Sequence, residues 1–381
     1  MAEANVIDET IETLEQEQEI TVNMGPQHPS THGVLRCIIK MNGETVTSVQ
    51  PDIGYLHRCF EKLSESKTYP MIVPFTDRTD YVASITNEWP YVMAVEKLMG
   101  IQVPERAEYI RVIAGELQRI CSHILGAYGV GGLDMGATTP FLYCFRERET
   151  MYDLFEELTG ARLLYNYFRI GGVSKDIPDG FIPKVIQFLD FLEHQALPEY
   201  HTLLTGNRIF QVRQKGIGPL SSKDAIAYGA TGPVLRGSGV KWDLRKDDPY
   251  SIYDRFEFEV PVGKENGDCF DRYLVRMKQI EESAKIVRQA IKQLPEGEIM
   301  AKVPKMIKPP AGEIYTRIEA PRGEVGCYLI ADGGASPYRL KWRSPCFVHL
   351  QLLPIIAPGF KLADLVAMIA SIDIILGEVD R

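Results

Sequence analysis

Apolar residues recur at three- and four-residue steps from about Arg106 to Tyr128, where Ile110, Ile113, Leu117, Ile120 and Ile124 line up. That spacing predicts a helix burying one stripe. A second seam, Phe270, Leu274, Met277, Ile280, Ala284, Val287, Ile291 and Leu294, follows Asp268, whose carboxylate suits an N-cap. Further helices are expected over 84–99, 141–160, 181–204 and 222–229, and their short Gly/Pro connections suggest a central bundle. The period shortens on both sides of this region. Val34–Met41 and Glu44–Val49 flank Asn42-Gly43, the pair that best tolerates the positive φ angles of a type I′ hairpin turn. Beyond a Lys/Pro-rich linker, Glu313–Ala320 and Gly326–Ala331 flank Pro321-Arg322-Gly323; Tyr338–Trp342 offers a third strand and Lys361–Ala370 a last short helix. The fold class this predicts is α+β. Its parts are an acidic mobile tail over 1–19, an N-terminal β-sheet region over 20–80, a central helical bundle over 81–300 and a C-terminal α+β region with a small sheet over 301–381.

At 381 residues the chain exceeds the size at which single cores stop growing, so packed sub-domains are expected. A net charge of −9 argues against a nucleic-acid partner, because such surfaces need clustered Lys and Arg. The seven cysteines include no CxxC pair, so the chain is expected to hold no metal or iron-sulfur cluster by itself, and their scatter reads as a reducing compartment. The most apolar stretch, Leu352–Val379, is broken by Pro354, Pro358, Lys361 and Asp364, which leaves no run near the roughly 20 residues of a membrane-spanning helix.

Four polar segments could carry chemistry. Gly25-Pro26-Gln27-His28-Pro29-Ser30-Thr31-His32-Gly33 spaces two histidines like a helical zinc pair, but Pro26 and Pro29 disfavour a helix. A loop between strands remains, with its imidazoles bonding backbone, a metal or a ligand. Asp77-Arg78-Thr79-Asp80-Tyr81 precedes an apolar helix and reads alone as its N-cap. Leu133-Asp134-Met135-Gly136-Ala137 reads as a C-cap turn. Phe145-Arg146-Glu147-Arg148-Glu149 reads as a solvated helix face whose ion pairs contribute little.

Together these segments resemble the hydrogenase-like subunit family of respiratory complex I. GPQHPSTHGVLR at Gly25–Arg36, GYLHR at Gly54–Arg58, DRTDY at Asp77–Tyr81, FRERE at Phe145–Glu149, RIGGV at Arg169–Val173, LRGSG at Leu235–Gly239, WDLRK at Trp242–Lys246 and GEVDR at Gly377–Arg381 occur in the family in this order. The resemblance implies a nickel-iron hydrogenase large-subunit-like fold and a quinone (ubiquinone or menaquinone) as substrate. It makes His32 and Tyr81 the ligands of the two quinone carbonyls, places His28 in the same loop, pairs Asp134 with His32, and brings Arg58, Arg78 and Arg169 towards a tetranuclear iron-sulfur cluster held by a neighbouring subunit. Quinone reduction needs protons as well as electrons, and neutral His and Tyr supply both hydrogen bonds and protons. The implied partners are the cluster-bearing B-type subunit, the C-type subunit and the ferredoxin-like I-type subunit of the peripheral arm, and the H-type subunit of the membrane arm. The chain is expected to lie peripherally on the cytoplasmic side of the membrane, with proton pumping driven elsewhere. The alternative is a purely structural scaffold of the same fold.

Departures from the pattern carry information too. A hydrogenase would place thiolates where Ile375 and Glu378 stand, and again near Asp80 and Ala83, so hydrogen activation is rejected. Leu164 occupies a position where many relatives have a histidine near the cluster. Between Leu294 and Gly312 the chain lacks a helical segment that many bacterial and mitochondrial relatives carry, like the compact chloroplast, cyanobacterial and archaeal forms, which do not all use NADH.

Overall fold

The computed structural model describes residues 19–264 and 266–381; the acidic tail expected over 1–18 lies outside the described residues. Glu19, counted with that tail, instead opens the first strand. Three antiparallel strands, β1 (Glu19–Met24), β2 (Arg36–Asn42) and β3 (Thr45–Asp52), form a meander. The expected hairpin is present with a different turn. Asn42 pairs with Thr45, only Gly43 takes a positive φ (56°), and a bulge at Lys40/Met41 absorbs the shift in register.

The helical elements match their apolar periodicity closely. The principal ones are α1 (Ser84–Met99), α2 (Glu105–His123), α3 (Thr138–Thr159), α4 (Phe181–Phe191) and α5 (Cys269–Gln293). Asp268 caps α5 by accepting from the Asp271 N–H at 2.9 Å. The ladder departs from α geometry in two places. Beyond α2 it widens into a π-helical stretch, Ile124–Val130, and beyond α4 two π-helical turns, Leu192–Ala196 and His201–Thr205, flank Leu197–Tyr200. Pro198 in that last segment cannot donate to a carbonyl one turn back, which accounts for the wider ladder around it. A two-residue pair, β4 (Phe168–Arg169) and β5 (Gly172–Val173), precedes α4 in the chain.

The C-terminal sheet is β6 (Gly312–Ala320), β7 (Gly323–Ala331) and β8 (Arg339–Arg343), followed by α6 (Pro345–Leu350), α7 (Leu362–Ile372) and α8 (Leu376–Asp380). Two apolar cores organise the chain. One joins the bundle to Ile318, Val325, Leu329, Leu340 and Trp342 of the C-terminal sheet. The other joins Cys37, Ile39, Met41, Val46 and Val49 of the N-terminal sheet to Leu350, Leu365, Met368, Ile369 and Leu376. Among the described residues no helix is long and apolar enough to cross a membrane.

One expectation fails in an instructive way. α2 does not bury a stripe; every residue from Tyr109 to His123 is buried, including Arg111, Glu116 and Arg119. Its polar face is turned inward and satisfied by charge pairing. Glu116 accepts from Arg245 at 3.0 Å, Tyr253 at 2.6 Å, Ser283 at 2.7 Å and Arg119 at 3.2 Å. Arg245 also pairs with Asp243 at 2.8 Å, Arg236 with Asp243 at 3.3 Å, and Arg236 with Glu319 at 2.7 Å. Three carboxyls thus face three guanidiniums with no water-exposed member. Burial alone would raise the Glu116 and Asp243 carboxyls, but the guanidiniums of Arg119 and Arg245, and of Arg245 and Arg236, outweigh it and hold both below the ordinary range.

The FRERE segment is corrected for the same reason. Arg146 and Glu149 are exposed, but Glu147 and Arg148 are buried, and Arg148 donates to the Tyr152 hydroxyl.

Removing one member of a buried pair strands the other, at a cost of about 3–5 kcal/mol. Glu116→Ala should therefore strongly lower the thermal midpoint of the purified protein. Because the folded Glu116 carboxyl is depressed, the stability it contributes is fully present above about pH 4 and lost as pH falls further. Glu116→Gln should flatten that acid-side decline in a pH series of unfolding curves.

Candidate functional site

The loop joining β1 to β2 is shaped by its own side chains. Gly25 takes φ 89°, and a Cβ there would lie 2.0 Å from the Leu35 carbonyl oxygen, so only glycine lets the two ends of the loop approach. Pro29 opens a single 3₁₀ turn, Pro29–Thr31. The His28 Nδ1 accepts from the Ser30 N–H at 3.2 Å, and the Thr31 hydroxyl donates to the His28 carbonyl at 2.7 Å. His28 thus serves the turn, with its ring exposed. His32 follows in the left-handed region (φ 51°), which turns its ring away from His28 and onto Asp134, Nε2 to Oδ2 at 2.6 Å. Asp134 ends the turn Gly131–Leu133 after the π-helical stretch, as the C-cap reading expects. Its side chain is 7% exposed and that of His32 12%, so the pair is largely shielded.

Tyr81 stands on the turn between the helix Tyr69–Thr76 and α1. The N-cap reading of this turn does not hold: the N-cap of α1 is Ala83, without a side-chain hydrogen bond. The polar residues are used for anchoring instead. The Thr79 hydroxyl donates to the Thr76 carbonyl at 2.6 Å and accepts from Asn87 at 2.8 Å. Asp80 accepts from the Val82 N–H at 3.1 Å and from Arg322 at 2.6 Å. With Thr79 and Asp80 buried, Tyr81 is held at the surface with 38% of its area open. Burial of the phenol, then the adjacent Asp80 carboxylate, raises its pKa, so it stays a neutral hydroxyl.

The C-terminal helix α8 draws these segments together. Leu376 lies against Gly33, beside His32. Gly377 faces the backbone of DRTDY: a Cβ there would sit 2.8 Å from the Thr79 carbonyl oxygen and 3.0 Å from that of Arg78. The Asp380 carboxylate accepts from the Gly54 and Leu56 N–H groups at 2.9 and 2.7 Å, and the Asp380 carbonyl lies 2.7 Å from His57 Nδ1. GEVDR therefore clamps GYLHR on one side and DRTDY on the other.

The three arginines gather around the same edge. Exposed Arg58 donates to the Arg78 carbonyl, and Arg78 donates to the Pro74 carbonyl at 2.7 Å. Arg169, on β4, donates to Asn166, whose N–H is accepted by Asp77 at 2.8 Å. Buried Asp77 lies 3.8 Å from Arg78, and burial, then the Asp77 charge, raises the carboxyl of its neighbour Glu88 well above the usual range. Leu164 sits in the adjoining loop with φ 58°. Among the described residues, no three His, Cys, Asp or Glu side chains are arranged to hold a metal ion.

Sequence reasoning did not find one group. Arg322, on the β6–β7 turn, reaches inward to Asp80 at 2.6 Å and Asp373 at 3.3 Å, and Asp373 also pairs with Arg276 at 3.6 Å. Glu378 and Cys346 complete this buried cluster, with the Cys346 N–H donating to Glu378 at 3.3 Å. A hairpin-turn arginine normally faces water, and no local pattern signals that this one is covered.

Residues 134–381 match the family model of the 49 kDa subunit of respiratory-chain NADH dehydrogenase. The D 2 subunit of NADH-quinone oxidoreductase from Symbiobacterium thermophilum is 58% identical over 384 positions, covering 97% of this chain and 100% of its own. The D subunits of NADH-quinone oxidoreductase from Geobacillus kaustophilus and Bacillus cereus are 56% and 55% identical over 364 positions, each covering 95% of this chain and 98% or 99% of their own. The chain belongs to the 49 kDa, or D, subunit family of NADH-quinone oxidoreductase, and is a subunit of an oxidoreductase complex.

Proposed function

We propose that this chain forms one wall of the quinone pocket of a proton-pumping complex I, with His32 and Tyr81 holding the headgroup and a tetranuclear iron-sulfur cluster carried by an adjacent subunit. The observation that carries this reading is the convergence on α8 of three segments far apart in the chain, each presenting a side chain suited to a quinone or to an electron donor. The open face of Tyr81 supports a pocket closed by a partner. The relatives' name specifies NADH as donor, which favours NADH for this complex as well.

In this reading the Asp134 carboxylate accepts from His32 Nε2 and fixes the ring orientation. Tyr81 and His32 each donate a hydrogen bond to a carbonyl oxygen and a proton as that oxygen gains charge. The partner's cluster supplies the electrons. The guanidiniums of Arg58, Arg78 and Arg169 favour added negative charge on that side of the site. The convergence of Ile375, Glu378 and Asp80 around Arg322 and Cys346 supports a hydrogenase large-subunit ancestry in which a metal centre gave way to an ionic one. The chain then sits peripherally on the cytoplasmic side, against the B-, C- and I-type subunits of the arm and the H-type subunit in the membrane, and its reaction drives pumping there.

Tyr81→Phe should lower quinone-dependent NADH oxidation by about tenfold or more while the complex still assembles, since only a proton donor is removed. Unchanged turnover would discard Tyr81 as a headgroup ligand. Asp134→Asn keeps the shape of the pair but removes its charge; steady-state kinetics should show a fall in kcat larger than any rise in the quinone KM.

A further inference from the structure

Tyr81 owes its place to the backbone on either side of it. Before it, Asp80 accepts from Arg322 at 2.6 Å through one carboxylate oxygen and from the Val82 N–H at 3.1 Å through the other. The same Nη1 of Arg322 donates to the Ser122 hydroxyl of α2 at 3.1 Å. After it, the Val82 carbonyl accepts from Gln118 Nε2 of α2 at 2.8 Å, and no other donor meets that carbonyl among the described residues. Gln118 and Ser122 stand four residues apart on α2 and so share one face of it. A single turn of α2 therefore grips the DRTDY turn on both flanks of Tyr81, through Arg322 on one side and directly on the other.

The Gln118 side chain has one hydrogen bond and that is it. The residue is 2% exposed, and its Oε1 is buried without a partner among the described residues. Its neighbours Glu116 and Arg119 are occupied with each other and with Arg245, so the amide stands apart from their charge pairs. Burying an amide half satisfied is costly, and an apolar side chain of the same length would fill the space without that cost. What glutamine adds is the N–H aimed at Val82. The orientation of the amide follows, because Oε1 against the Val82 carbonyl would set two acceptors face to face. Val82 is thus held at its N–H by Asp80 and at its carbonyl by Gln118, directly beside a tyrosine that keeps 38% of its area open.

We propose that Gln118 is a positioning residue for quinone reduction: by holding the Val82 carbonyl it sets where the Tyr81 hydroxyl meets the quinone. This rests on the quinone-site reading of Tyr81. Gln118 donates no proton to the quinone and acts only through the backbone of the turn. A reacting group displaced by about 1 Å can lose roughly a hundredfold in rate, so one buried hydrogen bond at this point is enough to matter.

The test is steady-state reduction of a short-tailed quinone by the assembled complex, comparing wild type, Gln118→Met, Gln118→Glu, Tyr81→Phe and the double variant Gln118→Met/Tyr81→Phe. Gln118→Met keeps the length of the side chain and removes both the donor and the unpartnered oxygen, so the complex should assemble. Its kcat should fall about tenfold, with a smaller change in the quinone KM. In the Tyr81→Phe background the same substitution should change kcat by less than about twofold, since the hydroxyl it positions is already gone. Wild-type kcat in Gln118→Met, or losses that multiply in the double variant, would overturn the proposal. Gln118→Glu is the rescue: a buried carboxyl at about pH 6 is neutral, offers an O–H to Val82 in place of the amide, and should recover part of kcat. A kcat at that pH no higher than that of Gln118→Met counts against the proposal. Should Gln118→Met not assemble, Gln118→Glu decides: kcat within about threefold of wild type at about pH 6 supports the role, and a loss of about tenfold overturns it. Tyr81→Phe separates the two ideas. Unchanged turnover there removes the quinone-site reading of Tyr81 itself, whereas impaired Tyr81→Phe beside an unaffected Gln118→Met removes only the role of Gln118.

Discussion

The fold is arranged around the pairing of Glu116 with Arg245 and Arg119 in the middle of the bundle. A helix buried on all sides has nowhere to send its polar residues, so each must find a partner of opposite charge and correct geometry. Glu116 ties α2 to the segment around Arg245, to Tyr253 and to Ser283 of α5, and the chain of pairs continues through Asp243 and Arg236 to Glu319 at the end of β6. Apolar packing could bring these elements together in several rotations; hydrogen bonds at 2.6–3.2 Å permit very few. The network thereby fixes where β6 ends, and with it where the turn that carries Arg322 enters the interior.

Arg322 links that scaffold to the site. By bridging Asp80 and Asp373 it anchors the DRTDY turn to the start of the C-terminal segment, and α8 then locks GYLHR and DRTDY in place through Asp380 and Gly377. The candidate site residues His32 and Tyr81 are consequently carried on loops tied to buried neighbours. His32 is oriented by Asp134 and largely shielded, whereas Tyr81 follows buried residues and keeps an open face.

The two ionic groups differ in kind. The Glu116 group balances three carboxyls against three guanidiniums, which hold Glu116 and Asp243 below the ordinary carboxylate range while burial raises Glu319. The Arg322 group sets three buried acids, Asp80, Asp373 and Glu378, against Arg322 and Arg276, and burial raises the Glu378 carboxyl to about 7. Both groups are built from the same residue types, distinguished by charge count and by Glu378 Oε1, which has no hydrogen-bond partner among the described residues.

The elements themselves were legible in the chain. α1 was readable to the residue, α5 together with its Asp268 cap, and the C-terminal hairpin, because apolar periodicity and capping chemistry are local properties. The ordered motifs that mark the family were equally plain. Environment was not. The polar face of α2, the FRERE arginine Arg148 and the turn residue Arg322 look like solvated charges when read locally, and each is buried. Nor does any local pattern show that Gly33, Arg78 and Gly54 meet at one C-terminal helix, when Gly54 and Asp380 alone stand 326 residues apart. Folding settled these points, because burial and charge balance are properties of the whole packed chain, and no short stretch of sequence records which distant partner will cover it.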